Sequence, residues 1–369
     1  MDTCGEVMAA EIALQFAWGN FEAVEQSMLI GTSPEFEFSA YTLMALSGHL
    51  TATFNYASYS IDLTVKTVSD SGFVRMGAAF PGHGSGNTNP TSPPHKGTTK
   101  KSSHGSNPGL QALIDSMVAA DVDAPSATDV VMNWGNKVKG TTDESKDPLF
   151  THVNEDLFKR PVYSKLIDVW NANVFNPQVC TAEVAMSGNK KALLDAVTKV
   201  FVNTTVFGLA HDYLVKEGVT SGTIDAFYPT LFQLWFGTYS RCHGALGSSG
   251  WEHVFSGEWK GSEIDGQHDW PRYYLLEKAG KINYHGYDSH DDNLIGTFQY
   301  TWQTYLKKIG GFFTGTSPVF DFSAFTVCAL TSSGANGCKF NVKGFPIGVT
   351  SYTQSCAGGS CLSTSYPSN

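Results

Sequence analysis

The apolar positions of this chain change period part of the way along it. Leu110, Leu113, Ile114 and Met117 recur at i, i+3, i+4 and i+7, the spacing of an amphipathic helix. Ala192-Leu193, Val197, Val200-Phe201 and Leu214 carry that period through one long run over residues 190–218, and residues 223–239 predict a further helix rich in Trp and Phe. After Gly250 the texture becomes short apolar runs cut by glycine: WEHVF, LIGTFQYTW, FFTG, FPIGVTSY and the terminal LSTSYP. These predict antiparallel strands with turns at Gly and Pro. Residues 270–281 and 317–330 remain helical islands; in the second, Ser317 is a natural N-cap and Pro318 fits the first helical position. Helices first and strands later predict an α+β protein, with helices packed on small antiparallel sheets.

One segment occurs twice. Residues 31–46 read GTSPEFEFSAYTLMAL and residues 315–330 read GTSPVFDFSAFTVCAL, with 11 of 16 positions identical. The correspondence runs further, setting Trp18 on Trp302, Phe54-Asn55 on Phe340-Asn341 and Phe80-Pro81 on Tyr366-Pro367. Residues 1–81 therefore read as an incomplete copy of the C-terminal part of residues 109–369. Between the two, residues 82–108 contain no aliphatic or aromatic side chain, so nothing there offsets the entropy of ordering the backbone. This segment is expected to be a flexible linker. A unit that starts halfway through a repeat is also expected to be the tail of a longer chain.

With 369 residues, 41% of them hydrophobic, the chain can bury a sizeable core. Charge is uneven. Residues 1–81 hold two basic against nine acidic side chains, a net of −7, the linker is +3, and the rest has 19 basic against 25 acidic, a net of −6. A broad polyanion-binding surface needs the opposite sign, so any nucleic-acid site must be local. Residues 109–369 hold six cysteines, Cys180, Cys242, Cys328, Cys338, Cys356 and Cys361, and the last four are spaced so that each neighbouring pair could staple a turn, with free buried thiols as the alternative and the connectivity open. That spacing points to an oxidising compartment. Asn203-Thr204-Thr205 is a lone glycosylation sequon inside the expected long helix. The sequence has no apolar stretch of about 18 residues and no signal-peptide pattern in its first 30 residues.

Two polar sites stand out. GWEHVFSGE places His253 in an apolar, strand-like run between Glu252 and Glu258, and GQHDW places His268 just before a helix. Two histidines titrating near neutrality are a simple way to build a general base and a general acid, and Lys307 would supply a cation for charge developing on phosphorus. Read from residues alone, structural histidines in polar turns and metal ligation stay open as alternatives. The cluster HGYDSHDD, residues 285–292, reads as a solvated turn rather than a metal site.

GSSGWEHVFSGE, the following QHDW, KKIGGFFTGTSPVFDFSAFT and the closing STSYP together resemble the EndoU family, the poly(U)-specific endoribonucleases. The resemblance covers residues 109–369 and implies an EndoU-like fold of two lobes, preceded here by the incomplete copy. It implies an enzyme that cleaves single-stranded RNA at uridylates by attack of the ribose 2′-hydroxyl, leaving 2′,3′-cyclic phosphate ends. It sets His253, His268 and Lys307 as catalytic, with His268 favoured as base and His253 as acid. Thr364 and Tyr366 fall on the uracil site, and Glu252 and Glu258 either orient His253 or hold a divalent ion. Manganese or calcium is then expected as an activator, with no organic cofactor. The expected partner is single-stranded, U-containing RNA rather than DNA, acted on by a monomer without a membrane span in the secretory pathway. Lys308 stands where the family often has proline, so either lysine could point inward; counting back from Gly315 favours Lys307. The Cys356–Cys361 loop looks like an insertion beside the uracil site. The alternative is a catalytically silent RNA-binding or protein-interaction module with the same fold. In the incomplete copy Ala23, Ala78 and Phe80 stand opposite Lys307, Thr364 and Tyr366, which predicts a silent lobe.

Overall fold

A computed structural model describes residues 107–369 apart from His243, and, of the first 106 residues, Tyr41, Thr42 and the backbone of five strands. Most of the expected linker lies outside the described residues. The chain divides into two compact units, Met1–Lys100 and Lys101–Asn369. In the first, β1 (Ala10–Trp18) and β2 (Phe21–Ile30) pair antiparallel, and β3 (Thr51–Tyr56), β4 (Tyr59–Asp70) and β5 (Phe73–His83) form a three-stranded antiparallel sheet.

The second unit begins with α1 (Pro108–Ala120), which Asn107 caps by accepting from the Gly109 and Leu110 amides. A two-stranded sheet of β6 (Val130–Met132) and β7 (Phe150–Val153) follows, then α2 (Pro161–Asn171). The single long helix expected over 190–218 is two, α3 (Gly188–Val202) and α4 (Thr205–Lys216), bent by 81° at Asn203 and Thr204. Thr204 accepts from the Phe207 amide at 3.2 Å and so starts a new helix, the local competition that favours Thr at caps over helix interiors. The sequon accordingly sits at a break, with Asn203 exposed. Next comes α5 (Ile224–Phe236), capped by Thr223.

The second expectation to fail is the strand at WEHVF. Glu252–Ser256 is a π-helical turn, closed by the Gly257 amide donating to the Glu252 carbonyl at 2.8 Å. Its apolar residues Trp251, Val254 and Phe255 already have helical i, i+3, i+4 spacing, and all three are buried. Trp251 and Phe255 rings lie 4.8 Å apart, and the Phe255 carbonyl accepts from the Trp170 indole at 3.0 Å. Gly257 ends the turn at φ 90°, where a Cβ would strike the Trp302 ring.

Strands β8 (Glu258–Lys260) and β9 (Glu263–Gly266), helix α6 (Trp270–Lys278), then β10 (Ile282–Asp291), β11 (Ile295–Trp302) and β12 (Tyr305–Phe313) follow. The five strands form one sheet in the order β10-β11-β12-β9-β8. Residues 285–291 of the HGYDSHDD cluster lie in β10 rather than in a solvated turn, and only Asp292 belongs to the turn that follows. Two irregularities in its pairing with β11 absorb His285 and Asp288, and the chain reverses only after Asp291. Its His290 stacks on Trp134 with centroids 4.5 Å apart.

Helix α7 (Pro318–Thr331) carries the repeated segment and is buried at 12 of its 14 positions, all round its circumference. Phe322 on it stacks on Trp235 of α5 at 4.7 Å. Ser317 caps it as the sequence predicts, accepting from the Phe320 amide at 3.1 Å. The chain ends in β13 (Gly334–Val342), β14 (Phe345–Cys356) and β15 (Gly359–Ser368), a three-stranded antiparallel sheet. β14 has the same 12-residue length as β4, its counterpart in the repeat. Disulfides join Cys328 to Cys338, Cys356 to Cys361, and Cys180 to Cys242. No single described helix is long and apolar enough to cross a membrane.

Candidate active site

Three elements bring His253, His268 and Lys307 to one place. His253 comes from the π-helical turn, His268 from the segment joining β9 to α6, and Lys307 from β12. The His268 amide donates to the Val254 carbonyl at 2.9 Å, tying the two histidine segments together, and the imidazole centroids are 5.4 Å apart. Gly266 makes this approach possible. A Cβ there would lie 2.5 Å from both Nδ1 and the backbone oxygen of His253.

Lys307 rather than Lys308 points inward, because β12 carries an extra residue against β11. Phe298 faces Gly310 and Tyr300 faces Lys307, so Lys308 and Ile309 share the space of one. Lys307 is 6% exposed and donates to the Asp265 carbonyl at 2.8 Å, whereas Lys308 is exposed and pairs with Glu263.

The proton on each imidazole follows from its neighbours. His268 Nδ1 is 2.9 Å from the Gly311 carbonyl, which only accepts, so Nδ1 carries the hydrogen and Nε2 is left as an acceptor with no protein partner. His253 Nδ1 has two neighbours, Glu258 Oε1 at 2.9 Å and Arg241 Nη2 at 2.8 Å. The two hydrogens on Nη2 are already directed to the Tyr239 hydroxyl, at 2.7 Å, and to the Ser363 carbonyl. His253 Nδ1 therefore donates to Glu258, and its Nε2 is the free nitrogen. Glu258 Oε1 also accepts from Ser248 Oγ and Arg241 Nε, each at 3.0 Å.

Electrostatics here are those of a buried site. Burial holds His253 well below its ordinary value, helped by the positive charges of Arg241 and Lys307 and by the neighbouring His268; burial and Lys307 do the same to His268. Burial brings the Lys307 ammonium down to about 8, against the pull of Asp265 and Glu258. Burial raises the Glu258 carboxyl, and Arg241 and Ser248 oppose the rise.

Glu252 does not stand with these groups. Neighbouring residues of a helical turn project about 100° apart, and Glu252 turns the other way. It accepts from Ser249 Oγ at 2.8 Å and lies buried beside Glu183, which pairs with Lys190 at 2.9 Å. It neither orients the His253 ring nor joins Glu258 in an ion site. His253, Glu258 and Asp265 do bring one ligand atom each within 4.8 Å of one another. Arg241 sits among them, with Nε 3.0 Å from Glu258 and Nη1 3.1 Å from Asp265. A manganese or calcium ion at this point would have to displace the guanidinium, so the residues as arranged do not fit one.

Thr364 and Tyr366 project from the same face of β15. Tyr366 stacks on His268 with centroids 4.9 Å apart and planes 19° from parallel, and the Thr364 hydroxyl has no protein partner. Sequence reasoning missed Arg241, Asp265 and Tyr239. Arg241 lies in a Gly/Ser-rich loop with no periodic pattern, and its one local signal is the adjacent Cys242, which fixes the loop to Cys180.

The family model described as Endoribonuclease XendoU matches residues 109–367. Uridylate-specific endoribonuclease D of Xenopus laevis is 36% identical over 264 residues, 67% of this chain and 83% of the Xenopus protein. The uridylate-specific endoribonuclease of Homo sapiens is 33% identical over 256 residues, 66% of this chain and 60% of the human protein's length. Among solved structures, that of XendoU, titled a splicing-independent snoRNA-processing endoribonuclease, aligns with a TM-score of 0.61 at 27% identity, covering 72% of this chain and 98% of that one.

Proposed function

The chain belongs to the XendoU endoribonuclease family, and on that footing we propose that it is a uridylate-specific endoribonuclease that cuts single-stranded RNA by internal transesterification. The observation that carries the reading is the pair of buried imidazoles, each with Nδ1 engaged and Nε2 free, beside the ammonium of Lys307.

The environments of the two rings favour different roles. A carbonyl behind His268 Nδ1 fixes the neutral tautomer without a full negative charge, which suits a general base. A carboxylate behind His253 stabilises the imidazolium, which suits a general acid. In the proposed step the 2′-hydroxyl loses its proton to His268 Nε2 and its oxygen bonds to the adjacent phosphorus. The bond from phosphorus to the 5′-oxygen breaks, and that oxygen takes its proton from His253 Nε2. The products are a 2′,3′-cyclic phosphate and a 5′-hydroxyl. Lys307 offsets charge on the non-bridging oxygens, Tyr366 offers a ring for the uracil to stack on, and the unpartnered Thr364 hydroxyl meets its polar edge. Arg241 already supplies the positive charge among the acids, so no step is routed through a divalent ion. Three disulfides support maturation in the secretory pathway.

The test is incubation with a fluorescent oligonucleotide containing a single uridine, in chelator and with added Mn²⁺ or Ca²⁺, beside a His268→Ala control. Cleavage at the uridine with a cyclic phosphate end is expected, lost in the control. A 3′-hydroxyl end would reject the transesterification, and no cleavage under any condition would favour a silent RNA-binding module.

A further inference from the structure

The pairing of β15 with β14 breaks immediately before Thr364. Ser351 faces Ser365 and Tyr352 faces Thr364, but Thr353 faces Leu362, so Ser363 is an extra residue with no partner on β14. A bulged residue takes its peptide groups out of the ladder and re-aims the side chains beside it. The Ser363 carbonyl turns instead to the loop that carries Arg241, accepting from the Tyr239 hydroxyl at 2.7 Å and from Arg241 Nη2. Tyr239 is 3% exposed and its hydroxyl accepts from that same Nη2 at 2.7 Å, so the oxygen is both filled and aimed. Its backbone exchanges two hydrogen bonds with Ser248, at 3.0 and 3.3 Å. On the other side of the bulge Leu362 rests on Gly250, where a Cβ would come within 2.6 Å of the Leu362 Cβ.

The bulge therefore has a fixed frame on the catalytic side, and Thr364 leaves it with its hydroxyl unpartnered. A threonine hydroxyl both donates and accepts. By itself it reads neither the O4 acceptor of uracil nor the amino donor at the same place in cytosine. Discrimination then depends on where the hydroxyl stands relative to the other groups on the base edge.

We propose that Tyr239 is a positioning residue for base recognition: by holding the Ser363 carbonyl out of the ladder it aims Thr364, and it thereby sets the preference for uridine over cytidine. This rests on the reading of Thr364 as a base-contacting residue, and the experiment separates the two.

Tyr239→Phe removes only the hydroxyl and leaves the ring in place. Its kcat and KM, and those of the wild type, are measured on two oligonucleotides that differ in one base, uridine or cytidine. The ratio of kcat/KM between the two substrates does not depend on the fraction of enzyme that is folded. It is expected to fall roughly tenfold, mainly through a higher KM for the uridine substrate, as for loss of one hydrogen bond to a buried acceptor. In a Thr364→Val background, Tyr239→Phe is expected to cost no further discrimination. An equal loss on both substrates, or discrimination losses that add in the double variant, would overturn the inference while leaving the nuclease reading intact. A wild type that cuts both substrates equally would sink the uridylate reading and this inference with it.

Discussion

His253, His268 and Lys307 are each buried where their charged forms are disfavoured, and that fixes how activity should respond to pH. His268 must be neutral to act as base, and burial keeps it so to well below 6.5. His253 must be protonated to act as acid, and Lys307 must be charged; burial depresses both, Lys307 to about 8. Both therefore gain their working forms as pH falls and lose them as pH rises. We expect kcat/KM to be about tenfold or more lower at pH 9 than at pH 7, measured in single-turnover reactions. Lys307→Arg cannot lose its proton in this range, so its residual activity should lack the component of the decline near pH 8 while keeping the part due to His253. A profile that climbs from pH 7 to pH 9 would contradict the assignment of both groups. At this scale the motifs were informative: the histidines and the lysine were singled out because acid–base chemistry at phosphorus calls for those residue types, and the structure brings them together. Arg241, Asp265 and Tyr239 were not, because nothing in their local sequence distinguishes them from loop and strand residues.

Short segments rather than long elements aim these side chains. The π-helical turn points His253 and Glu252 in different directions, a bulge in β12 turns Lys307 inward, and a bulge in β15 releases Ser363. Gly266 is the point of closest approach, so Gly266→Ala should push the His253 turn away from β9. A shift on the order of 1 Å costs about 100-fold in rate. We expect that loss in kcat with a circular-dichroism spectrum matching the wild type; near-wild-type kcat would show that the turn yields without moving the imidazole. None of these irregularities was visible beforehand. A short apolar run such as WEHVF fits strand and helix alike, and a bulge leaves the sequence looking like ordinary alternation until its partner strand is known. Most of the helices were legible from a capping residue or a periodic face; α2, which has no side-chain cap, was not, and the break at Asn203 is a place where side-chain capping competes with helix continuation.

For the second unit as a whole, the disulfide between Cys180 and Cys242 spans a sequence separation of 62 and fixes the residue next to Arg241. Replacing both cysteines by serine should lower stability by about 2–4 kcal/mol, read as an earlier melting transition, and should reduce cleavage at temperatures where the variant is still folded. An unchanged melt and full activity would mean that the loop holds Arg241 without the cross-link. Burial of α7 on every side shows that in the second unit GTSP and the apolar run after it serve the core and carry no reacting group. By itself the sequence determined the α+β class, most of the capped helices and the family resemblance of residues 109–369, since periodicity, capping and motif spacing are local properties of the chain; it also singled out His253, His268 and Lys307, which the structure brings to one place. Only the tertiary structure decided which way Glu252 faces, that Arg241 stands among the acids where an ion was expected, and how the Ser363 bulge joins β15 to the loop that carries Arg241. Those depend on contacts between separate segments, as far apart in the chain as Tyr239 and Ser363, and on pairing register, which no local pattern encodes.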